Sequence, residues 1–423
     1  MYNGLSLDQA PPISAVMRFF LSVPVFGLIL SCIAILSPDA LLTPSHPLSL
    51  AAIHLMFLGV LTMSMIGALF QMQSVLGGRP IPSPAGNGWI IHLLLALGVI
   101  ALSAAFAWQQ SIGFVIASVL LGSALVYTAF LVLPLLFGGV IHDTLRGMRL
   151  ALVSLLITAL LGIVMASAYA NASFSEQHAQ LREIHYSFGL AGWVATLIIA
   201  VAFQVVEMFY VTTGYNEWCK RNAFRIIAAA LGLKALFLLA GWGMEWIFDA
   251  VFAALMIGFV ATTLRRLKER KRKVPDVSIA FWQAGIALLS LFVLSHSVFL
   301  VSGLVAAETA ALIAFALFAL SIILGMLTKI VPFLVWFHLN SAGYMETPIM
   351  SHIIPAPRNT LLLRIFLGAT AIALFSAAYP PLMRVSGVAF AAVFALLGYN
   401  LIRALILYRR VVRTGTRFEF PSA

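Results

Sequence analysis

Twelve apolar stretches, each of about 20 residues and so long enough to cross a bilayer as a helix, constrain this chain more than any other feature. They read as 16–37, 49–72, 89–108, 112–137, 148–170, 184–210, 222–244, 246–264, 279–304, 308–337, 359–378 and 385–408, numbered below as spans 1 to 12. In lipid every backbone polar group must bond inside its own segment or a closed barrel. These runs are continuously apolar rather than alternating, so they predict helices. The expected fold is an all-α polytopic membrane bundle of about 12 transmembrane helices, a single integral membrane domain over 1–423. Only 9% of the residues are charged, against about 25% in soluble domains, too few to cover a water-facing surface. The first twelve residues hold no Lys or Arg, so no cleaved signal peptide is expected.

Charge orients the bundle. Lys and Arg collect on the cytoplasmic side of membrane proteins, and the densest cluster here is RRLKERKRK, Arg265–Lys273. Placing it inside puts both termini in the cytoplasm, in an inner (cytoplasmic) membrane. Every Lys and Arg then lies at that face except Arg182 and Arg384 outside and Lys234 and Lys329 within spans. The net charge of +11 therefore reflects topology and attraction to anionic lipid; the expected partner is the bilayer, not nucleic acid. Cys32 and Cys219 fall at opposite faces and no CxxC occurs, so neither a disulfide nor a thiolate metal site is expected. Trp242, Trp246 and Tyr379 read as interfacial anchors, and Asn171 opens an outer NAS sequon.

A pattern recurs in spans 2, 6 and 10: GALFQMQSV, AVAFQVVEM and GMLTKIVPF. Its fifth residue is Gln71, Gln204 and Lys329, spaced by 133 and 125 residues. The spacing predicts three four-helix arcs, approximately 16–137, 148–264 and 279–408, related by rotation about the membrane normal. Polar groups inside lipid are costly. One reading is that these three snorkel to the cytoplasmic interface. The other is that Gln71, Gln204, Glu207 and Lys329 line a polar or proton pathway, with Glu207 paired to Lys329.

Of nine histidines, His46, His92, His142, His178, His338 and His352 fall in loops or at span ends. His54, His185 and His296 lie in the outer part of spans 2, 6 and 9. Neutral imidazole is the commonest metal ligand, and histidines on different helices can hold a heme or copper. The plain alternative is a histidine bonded to a neighbouring helix.

Span 2 reads IHLMFLGVLTMSMIGALFQM and span 6 IHYSFGLAGWVATLIIAVAFQVVEMFY. These stretches resemble the second and sixth helices of the catalytic subunit of the heme-copper oxidase superfamily, whose architecture is likewise twelve helices in three arcs. The resemblance implies heme, b-type, ligated by His54, with copper as a further metal. It implies respiratory electron transfer or nitric oxide and oxygen chemistry, beside an electron-donor or respiratory partner subunit. His185 then lies on a metal-ligand helix, though at an outer position, and His296 is the second ligand on geometry alone. The chain lacks the family's His-His pair after helix 7 and His-x-His pair in helix 10, so no complete oxygen-reducing centre is expected. The NnrS-like membrane proteins of the nitric oxide response, associated with heme and copper, are a second resemblance. A cofactor-free transporter or channel, and an assembly subunit of a respiratory complex, are the competing functions.

Overall fold

The computed structural model describes residues 9–137, 143–271 and 273–418. His142 and Arg272 of the basic cluster lie outside the described residues. All twelve expected spans are helices: Ile13–Leu36, Pro47–Gly77, Pro84–Trp108, Ser111–Phe137, Asp143–Asn171, His178–Tyr210, Glu217–Ala240, Trp246–Glu269, Val277–Ser302, Val305–Ser341, Ala356–Phe375 and Leu382–Thr414. No strand occurs among the described residues, apart from one isolated bridge between Tyr344 and Arg417.

Two boundaries differ instructively. Span 6 begins at His178 rather than 184. Its first turns, HAQLRE, are polar and escape a hydropathy reading, yet Ala, Gln, Leu, Arg and Glu are strong helix formers. Span 7 stops at Ala240 because Gly241 takes a left-handed conformation, φ 68°, and its N–H closes onto Leu238 O.

The helices are not equivalent in burial. In spans 2, 6 and 10, 72%, 78% and 78% of the most apolar window is buried, against at most 44% in any other span. These are the three spans marked by the recurring pattern. The other nine form a closed ring around them, packed in the order 1, 3, 4, 5, 7, 8, 9, 11, 12 and back to 1. The inner three also touch one another: Phe57 stacks with Phe315, Phe209 meets Phe333, and Trp193 bonds Thr62.

Close packing follows the repeat spacing. A Cβ on Gly67 would lie 2.9 Å from Phe19 of span 1, and one on Gly325 2.6 Å from Phe281 of span 9. The corresponding residue of span 6, Ala200, meets Gly147 of span 5 equally tightly. Small residues thus let each inner helix approach the first helix of its own unit, the usual device where lipid supplies no hydrophobic driving force. Spans 2 and 6 share one further feature. Leu55–Thr62 and Phe188–Ala195 are π-helical, each residue of the first 133 before its counterpart. Span 10 is α-helical throughout.

Candidate functional site

The inner helices leave a cavity of about 1170 Å³ at the end of the bundle opposite the basic cluster. Spans 2 to 10 all contribute to its walls, and His54, His185 and His296 all line it. Three histidines scattered over 243 positions of sequence therefore face one space.

Two of them form a pair. His54 stands seven residues into span 2 and His185 seven residues into span 6, about 10 Å along each helix at 1.5 Å per residue. His185 is thus inside the bundle, not at the boundary where hydropathy placed it. Their rings lie 6.4 Å apart, centroid to centroid, inclined by 36°. The His54 Nδ1–H donates to Leu50 O at 2.7 Å, and the His185 Nδ1–H to Thr158 O at 3.0 Å. A carbonyl can only accept, so each ring carries its proton on Nδ1 and keeps the lone pair on Nε2. Neither Nε2 makes a hydrogen bond among the described residues. Phe106 stacks on His54 at 5.3 Å. Gly162 makes room for His185: a Cβ there would sit 3.2 Å from Cε1.

His296 belongs to a different part of the cavity. It stacks on Phe292, centroids 5.6 Å apart, and makes no hydrogen bond among the described residues. No ring contact joins it to His54 or His185. Its neighbourhood is charged. Lys234, only 4% exposed, bonds Asp249 at 2.6 Å and Glu183 at 3.1 Å, tying spans 6, 7 and 8 together.

The polar groups at the basic end are arranged otherwise than the sequence suggested. The expected pair of Glu207 and Lys329 does not form. Glu207 binds Lys220 at 2.8 Å and accepts from Tyr215 N at 2.9 Å. Lys329 instead donates to Asp276, between faces of Phe209 and Tyr210. The physical reason is the loop: Asp276 caps span 9, accepting from the Ser278 N–H, and this places its second oxygen at Lys329. Burial pushes the Asp276 carboxyl up, but hydrogen bonds from Lys329 and Ser278 outweigh it and hold the group below the usual carboxylate range. Tyr210 meets the same Ser278 hydroxyl at 2.7 Å. Gln71 is buried with its Oε1 unpartnered among the described residues, and Gln204 is part-buried. No chain of hydrogen bonds among the described residues links Gln71, Gln204, Glu207 and Lys329 to one another or to the cavity.

Among the described residues no group of three or more His, Cys, Asp or Glu is placed to bind a metal ion. Cys32 and Cys219 are both free. Sequence reasoning named the histidines but missed the Lys234 cluster. The signal existed: Lys234 and Asp249 flank a very short connection between two spans, which sets them opposite each other. The π-helical segments had no visible signal beyond the 133-residue spacing of Gly59 and Gly192.

Compared with known proteins, the chain matches no family model and no curated protein sequence.

Proposed function

We propose that this chain is a heme-binding protein of the cytoplasmic membrane, in which His54 and His185 would hold the heme and the heme would supply one-electron transfer. The observation that carries the reading is the histidine pair. An imidazole nitrogen binds a metal at ~2 Å and its ring centroid lies ~1 Å behind, so two imidazoles on opposite sides of one metal atom have centroids ~6 Å apart. The pair stands at 6.4 Å. Each Nδ1–H is anchored on a backbone carbonyl, the arrangement that orients a ligating histidine and raises its basicity.

Two imidazoles alone underfill the sites of most metal ions, whereas a porphyrin brings four nitrogens of its own and asks the protein for one or two ligands. The walls beside the pair suit a flat apolar group: Ala117, Leu121, Ala159, Gly162, Ile163 and Ala166. Arg182 lines the cavity and forms no salt bridge among the described residues, so it is the cation free to meet a heme carboxylate. A heme held by both histidines would supply electron exchange. Phe106 packing and the two carbonyls fix the rings, and the walls beside the pair are apolar. The orientation assigned from charge puts this site in the outer half of the membrane, facing a donor or acceptor on that side.

Purified protein is expected to carry heme in proportion to chain, with a Soret band that His54→Ala weakens. Copper without heme would support the same pair as a two-coordinate copper(I) site, and a colourless, metal-free protein would remove both. A cofactor-free carrier is favoured by one observation, the buried Lys234–Asp249–Glu183 cluster, since ionisable groups inside membranes mark transport paths as well as redox sites. It requires uptake that Lys234→Met abolishes in protein lacking any chromophore.

A further inference from the structure

The two histidines sit on helices that run in the same direction and cross-link at a second level. Eight residues beyond His54 is Thr62, and eight residues beyond His185 is Trp193. The Trp193 Nε1–H donates to Thr62 Oγ1 at 2.9 Å. Both residues are at most 2% exposed, and both line the cavity. Among the described residues no other side-chain hydrogen bond joins spans 2 and 6. The pair of helices is thus a ladder with two rungs, one of imidazoles and one of indole and hydroxyl.

In span 2 the stretch beyond His54 is the π-helical segment Leu55–Thr62, which ends on the lower rung; in span 6 the segment Phe188–Ala195 begins three residues beyond His185 and runs two residues past Trp193. Such segments are rare, and concentrate at functional sites. Their winding differs from that of an α-helix, so a π turn in one span alone would slide and rotate its lower rung relative to the other. Here each span carries one π segment of eight residues, and eight residues separate the rungs in each. The packing around each segment is also alike. Gly59, in the first, lies against Phe26 of span 1, and Gly192, its counterpart 133 residues on, lies against Ser154 of span 5.

We infer that Trp193 and Thr62 are positioning residues for the histidine pair, the lower rung holding spans 2 and 6 in the register that sets the separation of His54 and His185. This rests on the heme reading for its spectroscopic consequence but not for its geometry. Indole N–H and hydroxyl are well chosen: in a buried apolar floor an unmade bond leaves a donor without compensation, so the rung stays closed. The tie gives direction, which packing alone does not.

Two readouts test it. The first needs no cofactor. With Cys32 and Cys219 replaced by Ser, nitroxide labels at Ser45→Cys and Gln177→Cys, just before spans 2 and 6, report the distance between those helix ends by double electron–electron resonance. A single narrow distance is expected with Thr62 and with Thr62→Ser, and a broadened or shifted one in Thr62→Val and Trp193→Phe. An unchanged distribution in both overturns the inference. The second is the electron paramagnetic resonance spectrum of heme-loaded protein, where Thr62→Val is expected to shift the low-spin g values at unchanged heme content and Thr62→Ser to restore them. Unchanged g values in Thr62→Val would equally overturn it. Absence of heme from the wild type would fail the heme reading alone, and the label distances would still decide the positioning role.

Discussion

At Gly162 a single hydrogen separates two outcomes. Gly162→Ala places a methyl group 3.2 Å from His185 Cε1, tighter than a relaxed contact, so the ring must tilt. Heme content is expected to hold while the low-spin signal shifts, read by titrating purified apoprotein with hemin. Lys234 carries the opposite kind of sensitivity. It is almost wholly buried between Asp249 and Glu183, and removing one partner of a buried pair leaves uncompensated charge, costing about 3–5 kcal/mol. Lys234→Met is therefore expected to lower the melting temperature in detergent markedly, while Asp249→Asn, which leaves the Glu183 contact in place, lowers it less. At this scale the sequence was only partly legible. It named His54, His185 and His296 because imidazole is conspicuous among apolar residues. It could not say which two would meet, since span 9 and span 6 are both reachable from span 2 until their packing is known. Glu207 and Lys329 were paired on sequence level alone, and the loop that brings Asp276 to Lys329 has no hydropathy signature.

The Asp276 cap joins the end of span 9 to span 10, and its behaviour with pH follows from the depressed carboxyl. A group whose folded pKa lies below its unfolded value, about 3.9 for Asp, stabilises the fold above that value. The contribution is lost as pH falls through the folded pKa. Melting temperature is thus expected to drop below about pH 4 in the wild type, and Asp276→Asn to flatten that part of the profile. Gly325 tests helix approach in the same region. Gly325→Ala drives a methyl group into Phe281 Cβ at 2.6 Å, and overpacking of this kind costs about 1–3 kcal/mol. All twelve spans were legible as elements, because length and continuous hydropathy report them directly, but their ends were missed by up to six residues where polar or basic turns extend the helix. The π-helical segments were not, because winding depends on what each helix meets and not on its own apolar content.

For the whole molecule, three buried helices inside a ring of nine give the histidine cavity its walls and set it at one end. Repeat spacing in the sequence pointed to spans 2, 6 and 10, and burial singles out the same three. An even number of spans puts the start of span 1 and the end of span 12 on one side, which the proposal drawn from charge takes to be the cytoplasm. A membrane-impermeant maleimide applied to intact cells is accordingly expected to leave Cys219, at the basic end of span 7, unlabelled until the membrane is permeabilised. Labelling from outside would invert the bundle and put the cavity on the cytoplasmic side. For the site itself the proposal is that His54 and His185, not His296, hold one group between them. Electron paramagnetic resonance of the oxidised, purified protein addresses it directly. The expected wild-type spectrum is low-spin heme with two imidazole ligands, retained in His296→Ala and converted to high-spin in His185→Ala. A low-spin signal that survives His185→Ala but vanishes in His296→Ala, or no heme signal in the wild type, would contradict it.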